Sequence, residues 1–331
     1  NVITGSQEAL HKLLIGGRHK SVLVHFLNEA MWQVLQHHIG RIKVFVWVHG
    51  AEIQPLHRRD NFENEQQRDS AKVQSEARMR FWRGLLRKMP ENLKLIFVSN
   101  FLAEVVMEDL GFRLPENHYE VVHNPIDTDL FAYHPKPTEQ RKKILSIRPY
   151  ASRTYANDLS VKAILALTGK PYFKDLEFRM IGDGKLFDEV LAPLCGFSNV
   201  YIEKRFLTHV EMAALHREHG IFLCPTRMDT QGVSRDEAMA SGLVPVTNAV
   251  TAIPEFVDDS CGILAPGEDA EVMARGIALL YEQPQKFAAM SEAAAKRVRA
   301  QSDAQRVISA ELAVVLDDSE QIKHSVLEDA A

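Results

Sequence analysis

Residues 224–245 read Cys224-Pro-Thr-Arg-Met-Asp229-Thr-Gln-Gly232-Val-Ser-Arg-Asp-Glu237-Ala-Met-Ala-Ser-Gly242-Leu-Val-Pro245. An apolar strand, Ile221–Cys224, ends where this stretch begins. A loop with an acid and a glycine follows. A helix then starts near Val233, passes Glu237 and stops at Gly242, just before the next apolar run, Leu243–Val246. Strand, short loop, helix, strand is a βαβ unit of a parallel sheet. The amides of Gly232–Ser234 form the positive end of that helix, a place suited to phosphate. Asp229 and Glu237 bracket it and can accept hydrogen bonds from the hydroxyls of a sugar and a ribose. The alternative for both is a helix cap and an ordinary first-turn acid.

The pattern repeats in both directions. Short apolar runs at Ser21–Phe26, Lys43–Val48, Leu93–Val98, Glu120–Val122, Lys143–Ile147, Glu177–Ile181 and Val200–Ile202 alternate with helical stretches such as Phe101–Leu110, Asn157–Leu167 and Val210–His219. Runs this short and apolar read as strands buried on both faces. The polar stretch Tyr133-His134-Pro135-Lys136-Pro137-Thr138 reads as a linker. The expected organisation is an α/β domain over 1–131, a linker over 132–142, a second α/β domain over 143–302 and a helical tail over 303–331.

Composition bounds the function. The 331 residues carry a net charge of −5, with no basic excess of the kind that dominates nucleic-acid binding. The three cysteines, Cys195, Cys224 and Cys261, form no Cys-x-x-Cys pair, so neither a disulfide framework nor a structural zinc is signalled. No apolar run is long enough to span a bilayer. The expectation is a cytoplasmic protein that needs no metal and no cofactor.

Two further stretches carry chemistry. Ile181-Gly182-Asp183-Gly184 places glycines directly after a strand, where backbone approaches a ligand or simply turns. Arg148-Pro-Tyr-Ala-Ser-Arg153 follows the strand Lys143–Ile147. Two guanidiniums there clamp a diphosphate or form surface salt bridges.

Together these motifs resemble family 4 (group 1) retaining glycosyltransferases of the GT-B type, two Rossmann-like parallel-sheet domains facing an interdomain cleft. The family shows an acid, seven residues and a Glu in an Ala-Met-Ala-Ser-Gly-type helix. Here the spacing is kept with Asp229 in place of the usual Glu. The family's Arg-x4-Lys phosphate pair corresponds to Arg148 and Arg153, with Arg replacing Lys. Gly182-Asp183-Gly184, Val98-Ser99-Asn100-Phe101 and Asn124-Pro125-Ile126-Asp127 also match. The resemblance implies transfer of a sugar, with retention, from a UDP- or GDP-sugar to a hydroxyl of a saccharide or lipid-linked acceptor, in surface glycan or polysaccharide synthesis. It implies a front-face mechanism in which the departing phosphate takes the acceptor proton.

On that resemblance the catalytic set is His49, Asp229, Arg148 and Arg153. The donor-binding set is Gly182, Asp183, Gly184, Gln231, Gly232, Val233, Ser234 and Glu237. His49 ends the strand Lys43–Val48, and Glu52, Asn28 and Glu29 stand near strand ends on the acceptor side. Lys204-Arg205 occupies a place where the family often has Gly beside the base. The family's opening strand and glycine-rich loop are not supplied before Ser21, so the first domain is expected to be truncated and the chain a piece of a longer protein. Other readings are a non-catalytic sugar-nucleotide-binding domain and an epimerase or phosphorylase on the same scaffold.

Residues 75–89 hold five basic side chains (Arg78, Arg80, Arg83, Arg87, Lys88) and one acid, Glu76, with Met79, Trp82, Leu85, Leu86 and Met89 at helical spacing. Such a helix either packs on its own domain with a solvated basic face or lies peripherally on the inner face of an anionic membrane.

Overall fold

The computed structural model describes residues 5–59, 62 and 64–328, with backbone alone for 59 and 317–328. It divides into two units, residues 1–123 with 307–331, and residues 124–306.

The first unit is a four-stranded parallel sheet. β1 (Ser21–His25), β2 (Lys43–Val48), β3 (Leu93–Phe97) and β4 (Tyr119–Val121) stand in that order, with Val24 opposite Val46 and Val46 opposite Leu95. Helix α1 (Gln7–Ile15) precedes β1, and the strand-to-strand crossovers pass through α2 (Glu29–Leu35), α3 (Glu65–Arg87) and α4 (Asn100–Leu110). Period-two alternation sends Val44, Val46, Val48, Leu95 and Phe97 to one face, where Trp82, Leu86 and Leu102 meet them. Phe45, Trp47 and Ile96 point to the other face. Local chemistry sets the helix ends. Ser99 caps α4 by accepting from the Leu102 amide at 3.1 Å. Gly111, at φ 81°, closes it with bonds to the Met107 and Glu108 carbonyls.

The second unit holds β5 (Lys143–Ile147), β6 (Glu177–Gly182), β7 (Val200–Lys204), β8 (Ile221–Leu223), β9 (Val244–Asn248) and β10 (Ile263–Ala265). They form a parallel sheet in the order β10-β9-β8-β5-β6-β7. Its helices are α5 (Asn157–Leu167), α6 (Phe187–Leu191), α7 (His209–Glu218), α8 (Val233–Ala240), α9 (Ile253–Phe256), α10 (Ala270–Glu282) and α11 (Pro284–Ser302). One sheet face buries Ile144, Phe178, Met180, Ile221 and Val244 under Ile164, Ile277, Leu280 and Phe287. The other buries Leu145, Ile181 and Phe222 under Leu215 and Ala238. The chain leaves β5 for β6 on one side and later returns to β8 on the other. The strand order therefore reverses at β5, and the crevice beyond the carboxyl ends of β5 and β8 is the topological switch point where such sheets bind ligands.

Four features differ from the sequence reading. The units divide at His123/Asn124, earlier than residue 131. Residues 132–142 are packed on the second unit: Lys136 donates to the His216 carbonyl at 2.5 Å and Arg141 Nε to that of Tyr281 at 2.8 Å. Burial pushes the Lys136 amine down to about 8. The edge strands β1, β4 and β7 are half-exposed rather than buried on both faces. The tail is no appendage, apart from residues 329–331, which lie outside the described residues. It forms α12 (Ala304–Glu328), in which Val307, Val314 and Val315 cover Phe45, Trp47, Ile96 and Val122. Trp47 Nε1 donates to Glu311 Oε1 at 2.7 Å.

The helix over 75–89 lies within α3. Met79, Trp82, Leu85 and Leu86 are buried in the first unit's core, and Trp82 Nε1 donates to the Glu52 carbonyl at 2.6 Å. The apolar face that could have entered lipid is thus occupied. No described helix is long and apolar enough to cross a membrane.

Val307 is buried against Trp47 and its neighbours. Val307→Asp places a charge there without a partner, and a loss of about 3 kcal/mol or more is expected. Denaturant unfolding followed by tryptophan fluorescence measures it; an unchanged midpoint would show that α12 does not hold this face.

Candidate functional site

A cavity of about 490 Å³ opens at the switch point of the second unit. Its walls come from the ends of β5, β6 and β7 and from the loop and helix after β8. A larger cavity of about 940 Å³ lies in the first unit between α3, α4 and residues 55–58. It is lined by mixed charges, including Arg58, held by Asp109 and Glu108, and collects none of the residues expected to bind the donor or act in catalysis, though Glu76, Met79, Arg80 and Arg83 of the basic stretch border it. Position at the switch point therefore outweighs size in choosing between them.

Arg148 is the first residue after β5 and is 6% exposed. Nη1 donates to Ser234 Oγ at 3.2 Å, Nη2 reaches the Pro225 carbonyl at 3.5 Å, and the guanidinium lies 5.3 Å from the Tyr155 ring centre. Its Nε is buried without a partner, and no described carboxylate pairs with the side chain. A buried cation without a counter-ion is costly, so the site is electrostatically prepared for an anion.

Arg153 is not brought there. It lies in the turn before Tyr155, 48% exposed, with Nη2 3.5 Å from Glu189 Oε1, and does not line the cavity. Four residues separate the two arginines, and the intervening loop turns the second outward.

The glycine turn has a packing reason. A Cβ on Gly182 would stand 1.9 Å from the Arg148 carbonyl oxygen, and one on Gly184 2.3 Å from the Tyr150 carbonyl carbon. Residues 148–151 cross directly over the turn, and the Tyr150 amide donates to the Asp183 carbonyl at 2.8 Å. Gly182 and Asp183 line the cavity, whereas Gly184 supports it from beneath. Asp183 Oδ1 accepts from the Gly184 amide at 2.7 Å, which steadies the turn.

The loop after β8 brings Asp229, Gln231, Gly232, Val233, Ser234 and Glu237 to one wall. Gly232, at φ 100°, heads α8, and a Cβ there would strike the buried Arg235 guanidinium at 2.7 Å. Asp229 is half-buried; Oδ1 accepts the Gln231 amide at 3.2 Å, and its own amide donates to Thr251 Oγ1 at 3.1 Å. Gln231 faces inward instead. Its Oε1 accepts the Asn124 amide at 2.6 Å, while Nε2 donates to the Asn124 carbonyl at 3.2 Å and to Asp236 at 3.1 Å. It is a clamp on the loop rather than a free ligand group.

Glu237 is 11% exposed, and its nearest ionic neighbour is His209 Nε2 at 3.9 Å. Burial, and then the charge of Asp236, push its carboxyl up to about 7. Sequence reasoning missed Tyr155, Phe206, His209 and Met212, which also line the cavity. Phe206 lies two residues after β7, within reach of the strand-end rule that selected His49, whereas His209 opens α7 and carries no such signal. Arg205 is held by Glu203 at 3.0 Å and Glu211 at 2.9 Å, and Lys204 by Asp188 at 2.5 Å.

In the first unit His49 follows β2, and its ring nitrogen Nε2 is 2.9 Å from His25 Nδ1. Burial, and then the charge of His25, lower its pKa below the ordinary imidazole value. Glu52 Oε1 accepts the His49 amide at 2.6 Å. Asn28 caps α2, accepting the Met31 amide at 3.0 Å, and Glu29 is the exposed first residue of that helix. Those two residues have a structural role in starting α2.

Because the folded protein holds Glu237 protonated to higher pH than the unfolded chain, stability falls as pH rises from about 4.5 through about 7. Glu237→Gln removes that dependence. The variant is expected to melt higher than the parent at pH 8, by at most about 3 kcal/mol of stability, with the gain disappearing at pH 5. Calorimetric scans at both pH values check this; a destabilised variant at pH 8 would refute it.

Residues 141–283 match the family model described as glycosyl transferases group 1. No curated protein matches the chain in sequence. Among solved structures, a glycosyltransferase from Rickettsia africae is similar at 15% identity, with a TM-score of 0.71 over 94% of this chain and 80% of that one. Sucrose-phosphate synthase from Thermosynechococcus elongatus is similar at 14% identity, with a TM-score of 0.72 over 98% and 77%. Staphylococcus aureus TarM gives 15% identity and a TM-score of 0.63 over 83% of this chain, which spans only about half (51%) of the TarM chain. The likeness extends over both parallel-sheet units, the GT-B arrangement of glycosyltransferases. The family match encloses Arg148, the glycine turn, Asp229 and Glu237, and the second unit of this chain is a group 1 glycosyltransferase domain.

Proposed function

We propose that the chain is a retaining glycosyltransferase of family 4, moving a sugar from a UDP- or GDP-sugar to a hydroxyl of a saccharide or lipid-linked acceptor. The observation that carries this reading is Arg148, a buried guanidinium without a carboxylate, set beside the amino end of α8 and the uncompensated Glu237. A diphosphate satisfies the first two, and a ribose hydroxyl the third. TarM has been crystallised with UDP, and Anabaena HepE with UDP-glucose, which supports uridine as the first donor to test.

In the proposed reaction the acceptor oxygen bonds to the anomeric carbon on the face the phosphate leaves. The bond from that carbon to the diphosphate breaks, and the acceptor proton passes to the departing phosphate oxygen. Arg148 and the amides of Gly232–Ser234 stabilise the charge that develops there. This cationic wall supplies the neutralisation that a divalent ion would otherwise give, so turnover is proposed to need no metal and to persist in a chelator. Asp229 is assigned to the donor sugar and Glu237 to the ribose. His49 is assigned to the reacting sugar, with Glu52 on the acceptor side.

Arg153 favours a second reading. Its place outside the cavity leaves one arginine on the diphosphate, which fits a domain that binds sugar nucleotides without consuming them.

Titration calorimetry with UDP, GDP, ADP and their sugars, followed by turnover assays with an acceptor panel, decides between the two. Arg148→Ala is expected to weaken free diphosphate binding by about 1.5–3 kcal/mol, some 10- to 150-fold. Glu237→Ala should weaken free nucleotide and donor alike. Asp229→Asn keeps the oxygen that accepts the Gln231 amide, and should spare the free nucleotide while weakening donor binding and turnover by about 1–3 kcal/mol. Equal affinity of parent and Arg148→Ala for diphosphates would overturn the site. Binding without any turnover would establish the second reading.

A further inference from the structure

At the carboxyl end of the first unit's sheet, two imidazoles share one hydrogen bond. His25 is the last residue of β1 and His49 directly follows β2, and the register that pairs His25 with Trp47 brings them together. His25 Nδ1 and His49 Nε2 are 2.9 Å apart. The rings are held by aromatic neighbours on either side. Trp47 stacks on His25 at 5.3 Å and 27°, and Phe26 stacks on His49 at 4.5 Å and 28°. Phe26 takes a left-handed backbone, φ 56°, to stand there, and remains 53% exposed. A non-glycine residue in that region, holding an exposed aromatic ring over a histidine, is a conformation that folds retain at functional positions.

We propose that His25 is a positioning residue, which acts through His49 by fixing its ring orientation and its tautomer at the end of β2. The inference rests on the reading of His49 as the residue assigned to the reacting sugar. A hydrogen bond between two imidazole nitrogens needs one donor and one acceptor, so the state of His25 Nδ1 dictates the state of His49 Nε2, and with it which nitrogen of His49 carries the proton. When both rings are protonated, two donors face each other and the contact breaks. Among the groups that face His49 are His25 from β1, Phe26 from the segment after it, and Glu52, whose carboxylate takes the His49 backbone amide. Burial and the His25 charge both favour a neutral His49.

The test uses the whole chain and two variants. His25→Asn keeps a hydrogen-bonding group near the position of Nδ1 but does not titrate, whereas His25→Ala removes it. Two-dimensional ¹H–¹⁵N spectra of the imidazoles report the tautomer and titration of His49 without reference to activity. The parent should show one dominant His49 tautomer; His25→Ala should show a mixture, and in both variants the His49 pKa should rise. If sugar-nucleotide turnover is measurable, His25→Ala should lower kcat roughly 10- to 100-fold with little change in donor KM. His25→Asn should restore most of it, with an acid limb displaced from that of the parent. An unchanged His49 spectrum in His25→Ala overturns the positioning role. A changed spectrum with unchanged turnover leaves the pairing intact and overturns the assignment of His49 to the reaction.

Discussion

The site is organised around one electrostatic constraint: a guanidinium kept out of water with no carboxylate beside it. Arg148 is held by Ser234 Oγ, the Pro225 carbonyl and the Tyr155 ring, all of them neutral. Partners of this kind compensate a buried charge incompletely. The fold carries that penalty by making everything around it rigid. Residues 148–151 press so closely on the turn after β6 that two glycines are required, and the crossing sets where the Arg148 backbone lies. Glu237, on the helix that carries Ser234, has His209 Nε2 at 3.9 Å as its ionic neighbour, and burial pushes its carboxyl up to about 7. A cation and an acid both short of partners on one cavity describe a ligand with an anionic group and hydroxyls better than any packing need does.

The contrast with neighbouring charges sharpens the point. Arg227 is fully matched, held by Asp158 at 2.8 Å and Glu268 at 2.5 Å, which ties the loop before Asp229 to α5 and to the turn before α10. Arg235 is buried as deeply as Arg148 but has Asp236 at 2.6 Å and the Phe256 ring. Burial forces Asp236 upward despite that arginine, and Asp236 in turn raises Glu237. One structural ion pair thereby tunes a residue one position away that the same helix presents to the cavity.

Much of this was legible in the sequence, because parallel strands buried on both faces and the loops at their ends leave strong local marks. Nine of the strands lie where the apolar runs place them, and α5 has the bounds its pattern gives. The tenth, Ile263–Ala265, is a three-residue edge strand that matches none of those apolar runs. What failed was side-chain direction. Arg148 and Arg153 look equivalent as a pair of cations after a strand, and a short helical turn separates their fates. Gln231 sits on the cavity wall among candidate ligand-facing residues, but its amide is taken up by Asn124 and Asp236. Asn28 carried a usable signal, since an Asn preceding a helix is first of all a cap. The basic stretch over 75–89 shows the same limit: periodicity says that a stripe is apolar, and tertiary packing decides what covers it.

The rim of the cavity has a different chemistry from its floor. Arg205 stands there between two glutamates, so its charge is already matched and its contribution to an anionic ligand is weak. Phe206, 79% exposed, supplies a flat apolar face beside it. A matched cation and an aromatic face favour a planar ring over a phosphate, and the phosphate-seeking charge is left to Arg148 alone, deeper in the crevice. Charge and shape thus run in opposite directions along the cavity, apolar and neutral at the rim, cationic at the floor. An elongated ligand with one aromatic and one anionic end would match that order.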